Sequence, residues 1–124
     1  MNFECGCDCN VIYPELVEEI CSNMPKAFTF DRLAQFFSII GDSTRCRILF
    51  SISQHEMCVC DIANVLNMTK SSVSHHLAKL RATGVVKSIK IGREVRYSLD
   101  DSHVSLIYNL ALEHINHTGD SHDK

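Results

Sequence analysis

The chain has 124 residues, 45% hydrophobic and 22% charged, with two prolines and five glycines, which suits one modest globular core and excludes a collagen-like or wholly disordered chain. A net charge of −3 excludes indiscriminate binding to nucleic acid, and no apolar run nears the roughly 20 residues of a membrane helix. The opening MNFECGCDCN lacks the basic and then apolar build of a secretory signal, so a cytoplasmic protein without a membrane partner is expected. Seven cysteines in that reducing compartment point to metal rather than to disulfides.

Residues 1–12 have no helical or strand period and are expected as a flexible cysteine-rich arm, 13–118 as one domain and 119–124 as a disordered tail. From Pro14, PELVEEICSNM places a proline at a first helical position with acidic residues after it, which predicts a short helix. TFDRLAQFFSIIG repeats Leu33, Phe36, Phe37 and Ile40 at helical spacing before Gly41 stops it. DSTRCRILFSIS predicts a third helix capped by Asp42 or Ser43. Cys21 and Cys46 fall within these helical patterns and read as small core residues.

DIANVLNMTKSSVSHHLAKLRATG reads as a helix from Asp61 to Leu66, a break at Asn67 and Met68, and a second helix capped by Thr69 and ended by Gly84. That is helix-turn-helix spacing. In the second helix Val73, Leu77 and Leu80 form the inward stripe. Lys70, Ser71, Ser72, Ser74, His75 and Lys79 are left to donate to phosphates and base edges in a major groove.

VVKSIKIGREVRYSL alternates around Gly92, predicting a two-stranded hairpin with Lys90 and Arg93 near its tip and Arg96 on the returning strand, in reach of backbone phosphate. Between Lys70 and Tyr97 lie seven of the twelve basic residues and one acidic residue, Glu94, a confined basic footprint inside an acidic protein. DDSHVSLIYNLALEHINH closes the pattern as a helix with Val104, Ile107, Leu110, Ala111 and Ile115 on one stripe. The fold expected is mainly α with a small β-hairpin, a winged helix-turn-helix.

MCVCDIANVLNMTKSSVSHHLAKLRATGVV, followed by GREVRYSLDDSHV, resembles the ArsR/SmtB family of metal-responsive winged-helix repressors, from about Ala27 to His117. Within it, MCVCD plus a cysteine-bearing arm is similar to the CadC-type branch, which responds to cadmium, lead and zinc. The resemblance implies a cytoplasmic homodimer, joined through terminal helices, that represses a metal-efflux operon and leaves operator double-stranded DNA when metal binds.

Two ligand sets follow. His103 and His114 are eleven residues apart and so nearly on one helix face, but roughly 16 Å apart along the axis, too far for one ion. Antiparallel pairing of two such helices about a twofold near Asn109 sets Asp101 opposite His117 and His103 near His114, an N/O set suited to Zn(II). The resemblance assigns D-x-H with H-x-x-H to the family's C-terminal zinc site.

The second set is Cys58 and Cys60, which converge on one ion only at a helix start or in a turn, completed by Cys5, Cys7 and Cys9 of the arm as a soft site for Cd(II), Pb(II) or Zn(II). The resemblance implies that the arm comes from the partner subunit. Arms of the CadC branch carry two more widely spaced cysteines, whereas CGCDC offers three, and which two ligate stays open.

C-V-C-D also fits arsenic sensors of the same family, and a thiol redox switch on this fold is a further alternative. A zinc enzyme is disfavoured, since the Asp/His set leaves no obvious general base and no open ligand position. His55 and His122 have no neighbour at metal spacing and read as solvent-facing.

Overall fold

A computed structural model describes residues 10–118, which run as α1 (Pro14–Ser22), α2 (Ala27–Ile40), α3 (Ser43–Gln54), α4 (Val59–Leu66), α5 (Lys70–Ala82), β1 (Val86–Ile91), β2 (Glu94–Leu99) and α6 (Ser102–Thr118). They fall into two compact units divided between Ala34 and Gln35. The arm cysteines and His122 lie outside the described residues.

In the first unit, α1 starts with proline and has Glu15 in its first turn, where a carboxylate suits the helix dipole. None of its residues is buried, and Leu16 and Ile20 stand open on it. Cys21 is therefore half-buried instead of a core residue, a correction to the sequence reading: helical periodicity marks a stripe, not what covers it.

The second unit holds the core. Ile48, Leu49 and Ile52 of α3 meet Ile62 and Ala63 of α4, Val73, Leu77 and Leu80 of α5, Val85, Val86 and Leu99 at the hairpin base, and Val104 of α6. Eight of these side chains are fully buried, each stabilising the fold by about 1.5–3 kcal/mol relative to exposure. Cys46 is half-buried, its thiol donating to the Ile40 carbonyl at 3.4 Å.

Local chemistry sets the element ends. Asp42 caps α3, its carboxylate accepting from the Arg45 amide at 3.0 Å, and Thr69 caps α5, accepting from the Ser72 amide at 3.1 Å. Between α4 and α5 the chain reverses at Asn67, in the left-handed conformation with φ 55° and ψ 50°, while the Met68 amide donates to the Ala63 carbonyl at 2.9 Å. α4 begins at Val59, two residues before the expected start, because Cys58 takes the cap position and Asp61 sits inside the first turn.

The strands pair antiparallel from Val86 opposite Leu99 to Ile91 opposite Glu94, leaving Gly92 and Arg93 as a two-residue turn. Gly92 carries φ 64° and Arg93 has a negative φ, the pattern of a hairpin turn with glycine at its first central position. The Asp100 amide donates to the Val85 carbonyl at 2.9 Å and closes the hairpin base.

α6 is tied back by the Tyr108 hydroxyl, which donates to the Cys46 carbonyl at 2.8 Å. Val104 is the one buried residue of α6, and Leu106, Ile107, Leu110 and Ile115 are 59, 42, 54 and 61% exposed. No helix among the described residues is long and apolar enough to cross a membrane.

Candidate nucleic-acid interface and metal-ligand pairs

Burying Val73, Leu77 and Leu80 turns the opposite face of α5 outward. Lys70, Ser71, Ser74, His75 and Lys79 are exposed on it, and Ser72 is half-buried with its amide held by the Thr69 cap. Lys90 and Arg93 are exposed on the hairpin, Arg93 in the turn itself. Donors thus stand on one helix and on the adjacent wing, the pair of elements that a winged helix-turn-helix presents to a groove and its flanking phosphates.

Arg96 differs from the other cations of this segment. Its guanidinium donates to Glu56 Oε1 at 3.2 Å and, through Nε and Nη2, to Glu94 Oε1 at 3.3 Å each, so both carboxylates compete with phosphate for it. Those carboxylates raise its pKa further, the Glu56 hydrogen bond leading.

His76 faces inward from α5, its Nδ1 3.4 Å from Nη1 of Arg45 on α3. The guanidinium is always a donor, so Nδ1 accepts and the ring proton resides on Nε2. Burial pushes the His76 pKa below its ordinary value, with Asp42 opposing and Arg45, His75 and Lys79 reinforcing the shift. A neutral His76 bonded to Arg45 is consistent with the structural role that the family's recognition-helix pattern implies for it. His55 is exposed, its Nδ1 2.7 Å from the Glu56 carbonyl oxygen.

At the start of α6, Asp101 uses its two oxygens differently. Oδ1 accepts from the Val104 amide at 3.0 Å, while Oδ2 lies 3.6 Å from His103 Nδ1. The Val104 hydrogen bond and then His103 hold the Asp101 carboxyl below its ordinary pKa, so it is ionised and suited to a cation. His114 and His117 are exposed one turn apart near the other end of the helix.

The thiols make a second pair. Cys58 has an extended backbone with φ −87° and ψ 165°, and exposed Cys60 is the second residue of α4. Both line one open pocket of about 410 Å³ with Val59, Arg93, Glu94 and Val95. Two soft donors at one opening fit a thiophilic ion. Among the described residues, no three His, Cys, Asp or Glu side chains gather closely enough to hold a metal. Each pair is a partial ligand set.

Sequence reasoning does not single out Glu56, Tyr97 or Arg45. Met57 and Tyr97 form an isolated antiparallel bridge with bonds of 3.0 and 2.8 Å, and Arg96 reaches Glu56 across forty positions, separations at which no local pattern gives a signal.

Residues 42–88 match the model of the bacterial regulatory protein family called arsR. A transcriptional repressor SmtB homolog of Synechocystis sp. is 34% identical over 109 residues, 88% of this chain and 83% of that protein. A cadmium resistance transcriptional regulatory protein CadC homolog of Staphylococcus aureus is 35% identical over 109 residues, 87% of this chain and 89% of that protein. Among solved structures, a homodimeric winged helix-turn-helix DNA-binding domain from Mycobacterium bovis has a TM-score of 0.71 at 23% identity, covering 79% of this chain and 92% of that one. NolR from Sinorhizobium fredii has a TM-score of 0.62 at 28% identity, covering 85% and 95%. Arrangement and likeness agree: the chain is a winged helix-turn-helix protein and belongs to the ArsR family of bacterial regulatory proteins.

Proposed function

We propose that the protein is a metal-sensing transcriptional repressor that binds operator DNA as a homodimer and is released by Cd(II), Pb(II) or Zn(II), derepressing metal efflux or resistance genes. The observation that carries this reading is the incompleteness of each ligand pair on a surface left open: Asp101 with His103 at one end of α6, His114 and His117 at the other, and no third ligand beside either among the described residues. The relatives named as a repressor and as a cadmium resistance regulator point the same way.

Antiparallel pairing of α6 across a twofold joins Asp101 and His103 of one protomer to the partner's His114 and His117, making two equal N/O sites. Asp101, His103, His114 and His117 would hold a zinc ion there, which would tie the two subunits together. Cys58 and Cys60 hold the thiol site, with arm cysteines from Cys5, Cys7 and Cys9 completing it.

Lys70, Ser71, Ser72, Ser74, His75 and Lys79 enter the major groove while Lys90, Arg93 and Arg96 face the flanking backbone, and the dimer spaces two such units about one DNA turn, ~34 Å, apart. Release requires the two dimer geometries to bind metal unequally, and DNA then weakens metal binding by the same factor. A coupling of about 3 kcal/mol lowers operator affinity more than a hundredfold.

The test is a metal-by-metal release assay on an operator duplex selected from random DNA. His117→Ala is expected to hold operator in metal-free buffer and to need at least tenfold more zinc for release, a loss within the range of ligand changes. Cys58→Ser should do the same for cadmium and lead. Thiolate-to-cadmium charge-transfer absorption of the reduced protein separates metal binding from thiol oxidation. A monomer in sedimentation, or loss of operator binding by either variant without metal, overturns the reading.

A further inference from the structure

The thiol-bearing segment and the wing meet at three places. Met57 and Tyr97 exchange main-chain hydrogen bonds of 3.0 and 2.8 Å, so the residue before Cys58 continues the hairpin as a third strand position beside β2. One residue earlier, Glu56 accepts from Arg96 at 3.2 Å, while Glu94 grips the same guanidinium from the strand start. One residue later, Cys58 begins the wall of the pocket that Cys60 shares with Arg93, Glu94 and Val95.

A regular helix sets residues two apart about 200° round its axis, so bringing two such thiolates to one ion calls on the freedom of Cys58 outside the helix. That freedom is limited at once by the bridge at Met57. Any adjustment at residues 58–60 therefore bears on β2 and on the turn that carries Arg93.

We infer that the wing is the element through which the thiol site acts on DNA, and that Glu56, by holding Arg96, is the positioning residue that couples them; this rests on the thiol site proposed above. Drawing Cys58 and Cys60 together pulls the Glu56–Cys58 segment, and the Glu56–Arg96 ion pair with the Met57–Tyr97 bridge turns that pull into a displacement of Arg93 from its phosphate. The Asp/His pairs of α6 make none of these contacts. Release by cadmium at the thiols and release by zinc at the Asp/His pairs thereby follow separate routes through one chain.

The test uses the full-length dimer and cadmium itself, with Glu56→Gln, which keeps side-chain shape and removes the charge. Cadmium–thiolate absorption should match that of the unchanged protein in amplitude and stoichiometry, and metal-free operator affinity should not fall, since Arg96 keeps Glu94 and loses one of the two carboxylates that compete with phosphate for it. Cadmium-driven release should shrink by about tenfold or more, while zinc-driven release is unchanged, a split that a general structural role would not produce. In DNA-free protein, the cadmium-induced shifts of the Gly92 and Arg93 amide resonances should fall in parallel.

Equal cadmium release by Glu56→Gln with the absorption intact overturns the coupling and leaves the thiol site standing. Loss of metal-free operator binding assigns Glu56 to the scaffold and also overturns it. Absence of thiolate absorption in the unchanged protein removes the thiol site, and the coupling falls with it.

Discussion

Helices α5 and α6 both carry an apolar stripe, and they dispose of it differently. α5 buries Val73, Leu77 and Leu80 inside the chain, and its remaining faces are hydroxyls, imidazoles and cations. α6 buries Val104 alone and leaves four large apolar side chains open along its length. One element is complete within a single chain. The other has the surface of an interface, since contiguous exposed apolar side chains on a small protein mark a place where something docks.

Three changes would break or sharpen that contrast. Leu77→Ala removes a side chain that is 1% exposed, and should lower unfolding free energy by about 2–5 kcal/mol, read as a shift of the urea midpoint at unchanged slope. A cost under ~1 kcal/mol would mean that α5 is not seated as described.

Leu110→Glu acts on the open stripe. It should leave the helical circular dichroism intact, shift sedimentation from dimer to monomer, and lower operator affinity on the order of 10²-fold as two linked half-sites become single ones. A variant that stays dimeric would move the interface off α6.

The smallest effect concerns the seam between α3 and α5. His76 has a folded pKa below its ordinary 6.5, so its neutral form is favoured in the fold. Its contribution is present above that value and is lost as pH falls through the lower folded one. Urea midpoints at pH 7.5 and 5.5 should therefore differ in favour of the higher pH. His76→Gln keeps an acceptor for Arg45 but does not titrate, and should narrow the difference; an unchanged difference would place the sensitivity elsewhere.

Much of the scaffold was legible because its signals are local. Thr69, Gly84 and Gly92 mark a helix start, a helix end and a turn by their own backbone chemistry, and the structure has them in those roles. Asp61 misled by two residues, since an aspartate reads equally as a cap or as a first-turn charge, and Cys58 caps α4 without a side-chain hydrogen bond.

The stripe of α6 was legible as a stripe, but that it lies open within one chain followed from the family resemblance alone, because periodicity is blind to which partner covers a face. Less legible still were contacts between distant positions: Arg45 with His76, Met57 with Tyr97, and Glu56 with Arg96. The thiol pair was visible as chemistry. Its seat beside the wing was not, because that depends on how α4 and β2 are brought together.

The link at Asn67–Thr69 has a mechanical consequence. Three residues separate the helix that bears Cys60 from the helix proposed to face DNA, the first held left-handed and the last committed as a cap. Such a joint has no slack. The heading of α5 is thus set by these three residues, and a longer link would let the Lys70–Lys79 face swing out of line with the wing.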